Sequence, residues 1–259
     1  MKYYVVDAFA EKVFKGNPAG VCVLEEKLDT ETMQKIAAEN NLSETAFVHR
    51  KSKGQYDLKW FTPKSEINLC GHATLGTAFV VTNFVDVGIK DMSFDTLSGI
   101  LEVHYENEIF TLKFPSIMPE KINMPLGIEE ALGVTPLEAY IARDLVILLK
   151  DEEEVASLKP DFGKLLVLKD GAGLIVTAKG NTADFVSRCF FPKLGVNEDP
   201  VTGSAHSNLI PYWAGKLNKN KMTAVQLSER QGTLYCELVG DRVNMSGKGV
   251  LYMMGELYI

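Results

Sequence analysis

Residues 70–76 read CGHATLG, a thiol, a glycine and an imidazole set directly ahead of the apolar run TAFVVTNFV. Three chemistries suit that group. Cys70 can act as a nucleophile, Cys70 and His72 can hold a metal, or Gly71 can let the chain turn into a helix. A C-x-H pair is a poor metal spacing and no further ligand cluster accompanies it in the sequence, so no metal is expected. The glycine says more. A glycine loop that enters a buried helix exposes the unpaired N–H groups of the first turn, where the helix dipole adds partial positive charge. Such an end binds carboxylate or phosphate without a cationic side chain. A second stretch, NEDPVTGSAHSNL at residues 197–209, presents the same device at Gly203.

The rest of the chain limits what these residues can belong to. Its 259 residues are 46% hydrophobic, enough for a substantial core in one large domain or two ordinary ones. A net charge of −7 provides no basic field, which argues against nucleic acid or an anionic membrane as partner. The opening MKYYVVDAFA lacks the apolar core of a signal peptide, and no run approaches the roughly 18 apolar residues of a membrane span. A cytoplasmic location is expected. Cys22, Cys70, Cys189 and Cys236 are far apart with no CxxC pair, as free core thiols are in a reducing compartment.

These residues need elements to position them. Short β-branched and aromatic runs predict strands at 3–9, 20–24, 44–50 and 56–62. DTETMQKIAAEN at 29–40 offers Asp29 and Thr30 as caps and places Met33, Ile36 and Ala37 on one face, predicting a surface helix. Further strand patterns fall at 91–96, 99–105 and 109–114. Pro115, Pro119 and Pro125 then interrupt both helices and ladders, marking a domain boundary. Beyond it the patterns predict helices at 126–132 and 151–168, strands near 144–149, 173–178, 184–191 and 233–245, and a final strand pair, VLYMM and ELYI.

An internal echo ties the halves together. YDLKWFTP at 56–63 aligns with FVSRCFFP at 185–192 at an offset of 129, which Asn68 and Asn197 keep. With three more residues in the second copy, CGHATLGTAFV lies over TGSAHSNLIPY, so Gly71 meets Gly203 and Ala73 meets Ala205. Each half carries the same strand, loop, glycine and apolar helix, which predicts two similar domains.

At this level of detail the chain resembles a known family. DAFAEKVFKGNPAGVCVL, AAENNLSETAFV, INLCGHATLG and NEDPVTGSAHSNL are similar, in order and spacing, to the signatures of the phenazine-biosynthesis PhzF-like isomerases, relatives of diaminopimelate epimerase. The resemblance implies an α+β fold of two pseudo-symmetric β-rolls, each wrapped around a central helix, with the site in a cleft. The domains would be 1–117, completed by a C-terminal strand near 250–259, and 118–250. It further implies a cofactor-independent isomerase of a small carboxylic acid, working as a homodimer. Glu44 would carry the proton, with His72 and Asp199 in the catalytic group. Gly71, Gly203, Ser204, Ser43 and Asn17 would bind substrate. Local sequence alone makes Glu44 a strand-end carboxylate, Asp199 a turn residue and Asn17 part of a GNP turn.

Two other functions stay open: an amino-acid racemase of the diaminopimelate epimerase type, and a small-acid binding protein without catalysis. The racemase needs a thiol at each helix mouth. Cys70 matches the first, but Thr202 stands at the second, and a hydroxyl cannot replace a thiolate base unaided.

Overall fold

The echo corresponds to two copies of one strand order. The computed structural model describes residues 1–259, and the chain divides into two compact units, Met1–Lys113 with Ser246–Ile259, and Phe114–Met245. The first unit runs β1 (Lys2–Ala8), β2 (Asn17–Leu24), α1 (Thr30–Asn40), β3 (Glu44–Ser52), β4 (Gln55–Phe61), β5 (Glu66–Ile67), α2 (Gly71–Val80), β6 (Asp91–Thr96), β7 (Gly99–Glu106) and β8 (Ile109–Pro115). The second runs β9 (Glu120–Ile122), α3 (Ile128–Leu132), β10 (Glu138–Ile141), β11 (Leu145–Leu148), α4 (Glu152–Ser157), α5 (Phe162–Val167), β12 (Leu174–Lys179), β13 (Phe185–Phe191), β14 (Val196–Asp199), α6 (Gly203–Leu217), β15 (Lys221–Gln226), β16 (Gly232–Val239) and β17 (Arg242–Gly247). The last strand, β18 (Gly249–Glu256), returns to pair antiparallel with β1.

Pairing senses repeat in order. β1–β2 is antiparallel, β2–β3 parallel, β3–β4 antiparallel, β4–β6 parallel and β6–β7 antiparallel. The run β10–β11, β11–β12, β12–β13, β13–β15 and β15–β16 has the same five senses. The architecture is α+β, two β-rolls of one topology, each with a long helix following the short strand that pairs with β4 or β13.

The central helices are apolar all round, as helices enclosed by sheet must be. In α2 every residue from His72 to Ala78 is buried. Gly76 permits the close approach: a Cβ there would sit 3.3 Å from that of Ala19 and 3.6 Å from that of Val6. The hydroxyls of Thr74 and Thr77 donate back to the carbonyls of Cys70 and Ala73, so neither is left unpaired in the core.

In α6 the run from Ala205 to Ala214 is buried, with Pro211 inside it. Proline lacks the N–H that would bond the carbonyl four residues back. That carbonyl, of Ser207, instead accepts from Ile117 N at 2.9 Å, and Asn208 Nδ2 donates to Ile117 O at 2.9 Å. Trp213 donates Nε1 to Thr177 Oγ1 at 2.9 Å and stacks on Phe185. β12 is covered on both faces: Thr177 meets α6, while Leu174, Val176 and Ala178 pack with Ile128, Ala131, Leu132, Val155 and Leu165 of the outer helices. In the first unit α1 buries Met33, Ile36 and Ala37 against Tyr3, Val5, Cys22, Phe47 and Phe61.

Some expected elements differ. The helix expected over 151–168 is two, because Pro160 interrupts it and Asp161 caps the second by accepting from Lys164 N. The segment 233–245 is a hairpin, β16 and β17, turning at Gly240, whose φ is 59°. The expected final strand pair is the single strand β18, with Gly255 in register with Tyr3 and a bulge at Tyr252. β15 escaped notice because its buried face reads Met222, Ala224, Gln226, and the glutamine breaks the apolar alternation.

Two outcomes follow from the α6 core. His206 is fully buried and donates Nδ1–H to Thr202 O at 2.8 Å, and burial lowers its pKa from 6.5 to about 4. Between those values the unfolded chain binds a proton that the folded chain does not. This contribution is complete above the unfolded value and is lost as pH falls toward 4, about 3 kcal/mol in all. Urea unfolding at pH 7 and pH 4.5 is expected to show a smaller acid loss in His206→Gln than in the parent. Asn208→Ala leaves the Ile117 carbonyl unpaired in a buried setting, and is expected to lower unfolding free energy by about 1–3 kcal/mol in the same assay.

Candidate active site

Three chain segments meet at the start of α2. Asn17 opens β2 behind Gly16, whose φ of 67° brings it so near Ala8 O that a Cβ would lie 2.1 Å away. Glu44 is the first residue of β3, in register with Ala19 of β2. Cys70 is the N-cap of α2 and His72 its second residue. The parallel pairing of β2 with β3 therefore sets Asn17 and Glu44 beside one helix mouth. Ser43, one residue ahead of Glu44, is half-buried.

Buried His72 is the hub, only 4% exposed. Its Nε2 lies 3.1 Å from Glu44 Oε2, and its Nδ1 lies 3.2 Å from Asn17 Nδ2 and 3.5 Å from Cys70 Sγ. Glu44 Oε2 is itself buried, so the 18% of the Glu44 side chain that meets solvent lies elsewhere on it. Burial alone would push His72 toward the neutral imidazole. Cys70 and Glu44 outweigh it and raise the pKa well above the usual 6.5. Burial pushes the Cys70 thiol up as well, against the lowering effect of His72. The arrangement is a carboxylate with one oxygen buried against an imidazole and part of its side chain exposed, a geometry suited to taking and returning a proton. Glu44, Cys70 and His72 also bring one donor atom each within 4.8 Å of one another. The C-x-H pair thus has a third potential ligand, from a strand 26 residues earlier in sequence, which spacing could not reveal.

The mouth itself is open. Asp29, Asp151 and Asp161 cap α1, α4 and α5 by accepting from first-turn N–H groups, whereas Cys70 and Thr202 give α2 and α6 no side-chain cap. At α6 the diversion is explicit. Thr202 Oγ1 donates to Asp199 Oδ2 at 2.6 Å, and Gln226 accepts from Thr202 N at 2.8 Å while donating to Asp199 O at 2.6 Å. The hydroxyl that would ordinarily accept from the helix is turned the other way. Gly71 and Gly203 are the first residues of these two uncapped helices.

Beside Gly203, Ser204 Oγ accepts from Arg143 Nη2 at 3.3 Å, and the guanidinium is anchored on buried Asp144 through Nη2 at 2.6 Å and Nε at 3.0 Å. Cys189 lies fully buried behind this region, its thiol pushed well up by burial, and contacts Gln226 Oε1 at 3.7 Å. The structure gathers Asn17, Glu44, Gly71 and His72 in the first unit and Asp199, Gly203 and Ser204 in the second. Gln226 and Arg143 were not foreseen. Each lies on another strand or loop from the helix it serves and matches no motif.

No helix of the chain is long and apolar enough to cross a membrane. Residues 6–255 match the family model PhzC-PhzF, described as phenazine biosynthesis-like protein. An uncharacterized isomerase of Pseudomonas aeruginosa is 48% identical over 256 residues, 99% of this chain and 98% of the relative. A crystal structure of a PhzF family protein from Enterococcus faecalis superposes with a TM-score of 0.97 at 53% identity, covering 100% and 99% of the two chains. At the level of fold alone, a probable proline racemase of Agrobacterium radiobacter superposes with a TM-score of 0.65 at 9% identity, over 100% of this chain and 93% of the other. With near full-length matches on both sides, the chain belongs to the phenazine biosynthesis-like PhzC-PhzF family, whose curated relatives include isomerases.

Proposed function

We propose that the protein is a cofactor-independent isomerase that moves a proton between two positions of a small carboxylic acid, with Glu44 as the carrier. The observation that carries this reading is the Glu44–His72 contact of 3.1 Å beside an uncapped helix mouth. His72 engages Oε2 and leaves the other carboxylate oxygen to meet a C–H bond of the substrate. As the proton transfers to Glu44, charge develops on the substrate carbon and spreads onto its unsaturated or carboxyl neighbour. N–H groups at Gly71, and at Gly203 on the second uncapped helix, suit a substrate carboxylate, and donors fixed in advance lower the cost of that developing charge. Glu44 then returns the proton at a different carbon. Asn17 orients His72, while Ser43, Ser204 and Asp199 are assigned to substrate binding and placement.

The two-thiol racemase reading is weaker on physical grounds. Cys70 is buried with its thiol pushed up by burial, Cys189 more so, and Thr202 donates its hydroxyl to Asp199. None of the three is poised as a base.

Glu44→Gln keeps the shape of the side chain but cannot accept a proton. With an acid identified by ligand-induced thermal stabilisation, turnover is expected to fall by about 10²- to 10⁴-fold while binding survives. Cys70→Ala, a small volume change at the helix mouth, is expected to stay within about tenfold of the parent. An inactive Cys70→Ala beside an active Glu44→Gln would replace this mechanism with a thiol-based one, and binding without turnover in the parent would favour the non-catalytic reading.

A further inference from the structure

The end of α2 away from the Glu44 site borders a second opening. This open cleft of about 270 Å³, built wholly from the first unit, is lined by the rings of Phe79, Tyr105 and Phe110 and by Glu11, Glu108 and Lys248. Its edge at Gly249 and Val250 belongs to β18, and β18, β1, β2 and β3 are successive neighbours. Three strand spacings, about 14 Å, therefore lie between that edge and the strand of Glu44. The rings form one continuous wall. Tyr105 lies 4.6 Å from Phe110, centroid to centroid, and Phe110 lies 6.2 Å from Phe79. Gly249 makes room for that wall, since a Cβ there would sit 3.0 Å from Phe79 Cδ2.

The charge around the wall is negative. Glu11 is exposed and makes no ion pair. Lys248 Nζ donates to Glu108 Oε2 at 3.1 Å and leaves Oε1 to other partners. Glu108 has a φ of 65° beside Asn107 at 51° in the turn between β7 and β8, a place that glycine fills without strain. Asn83 also lines the cleft, from the π-helical turn Val81–Val85 that ends α2, and its Nδ2 donates to Phe79 O at 2.8 Å. At that end the helix dipole adds partial negative charge. Two carboxylates against one ammonium, beside aromatic faces, favour a cation. The volume falls just below the roughly 300–1,000 Å³ of drug-sized ligand sites, so the occupant is small. We propose that the cleft binds a small arylalkylammonium ion, its ring against the aromatic wall and its ammonium group held by Glu11 and Glu108. The site stands apart from the proton transfer assigned to Glu44 and repels the acids that suit the helix mouth.

Phenethylammonium is the probe, and hydrocinnamate, which joins the same ring to the opposite charge, is its control. Titrated at neutral pH into the nitrogen-15-labelled full-length protein, phenethylammonium is expected to move the amide signals of Asn83, Glu108 and Gly249 along one saturable curve. The expected dissociation constant is about 1 mM or tighter, within reach of a ligand of that size. The signals of Asn17 and Glu44 are expected to stay in place, and hydrocinnamate is expected to move none of the three cleft signals. Glu11 and Glu108 are exposed, so Glu11→Gln and Glu108→Gln are expected to fold as the parent does. Together they are expected to weaken binding about tenfold, and added salt is expected to act in the same direction. Absence of saturation by about 10 mM probe overturns the proposal, as do shifts centred on Asn17 and Glu44. Equal binding of hydrocinnamate, or a double variant that binds as tightly as the parent, overturns it too, because ring burial alone would then account for the affinity.

Discussion

A buried imidazole pressed against a carboxylate is the constraint around which the first unit is arranged. Charged His72 cannot rest in an apolar core by itself, because desolvation penalises the imidazolium. Cys70 and the Glu44 carboxylate at 3.1 Å oppose that penalty. For the pair to form, the second residue of α2 must lie inside the roll and the first residue of β3 at its rim. The parallel register of β2 and β3 and the glycine contact at Gly76 against Ala19 set that placement. The outcome is a carboxylate fixed on one oxygen and available on its accessible side.

The two long central helices begin without a side-chain cap. Three of the four outer helices use aspartate to accept their first N–H groups, while α3, behind Gly127, and the central two do not. An uncapped N-terminus leaves donors and partial positive charge unmatched, a cost that a substrate anion removes on binding. Thr202 shows that the open end is not a matter of residue type, since its hydroxyl is directed to Asp199 instead. The two copies differ at their helix mouths. Glu44, His72 and Cys70 cluster at the first mouth, while Asp199, Thr202 and Gln226 form a hydrogen-bonded network at the second.

The repeated fold was legible because local signals agreed with global placement. The β4 and β13 runs, the two glycines and the apolar helices that follow them could be aligned by eye, and Met33, Ile36 and Ala37 are the buried face of α1. What escaped was non-local. A proline at 160 divides a run whose composition suits one helix, and Gln226 hides a strand by being a buried polar residue. Pro211 sits within α6 because Ile117, far away in sequence, takes the carbonyl it frees. At the site, motif resemblance named Glu44 and His72, yet their direct contact, and the place of Cys70 beside them, depend on strand register, which no spacing encodes.

The central claim is that Glu44, together with Cys70, raises the pKa of buried His72. Nitrogen-15 NMR of the imidazole across a pH titration reads this directly. The account requires His72 to titrate well above the ordinary histidine value in the parent and to fall in Glu44→Gln, where burial is opposed by one partner fewer. A His72 that titrates at or below the ordinary value in the parent, or that Glu44→Gln leaves unmoved, would contradict it.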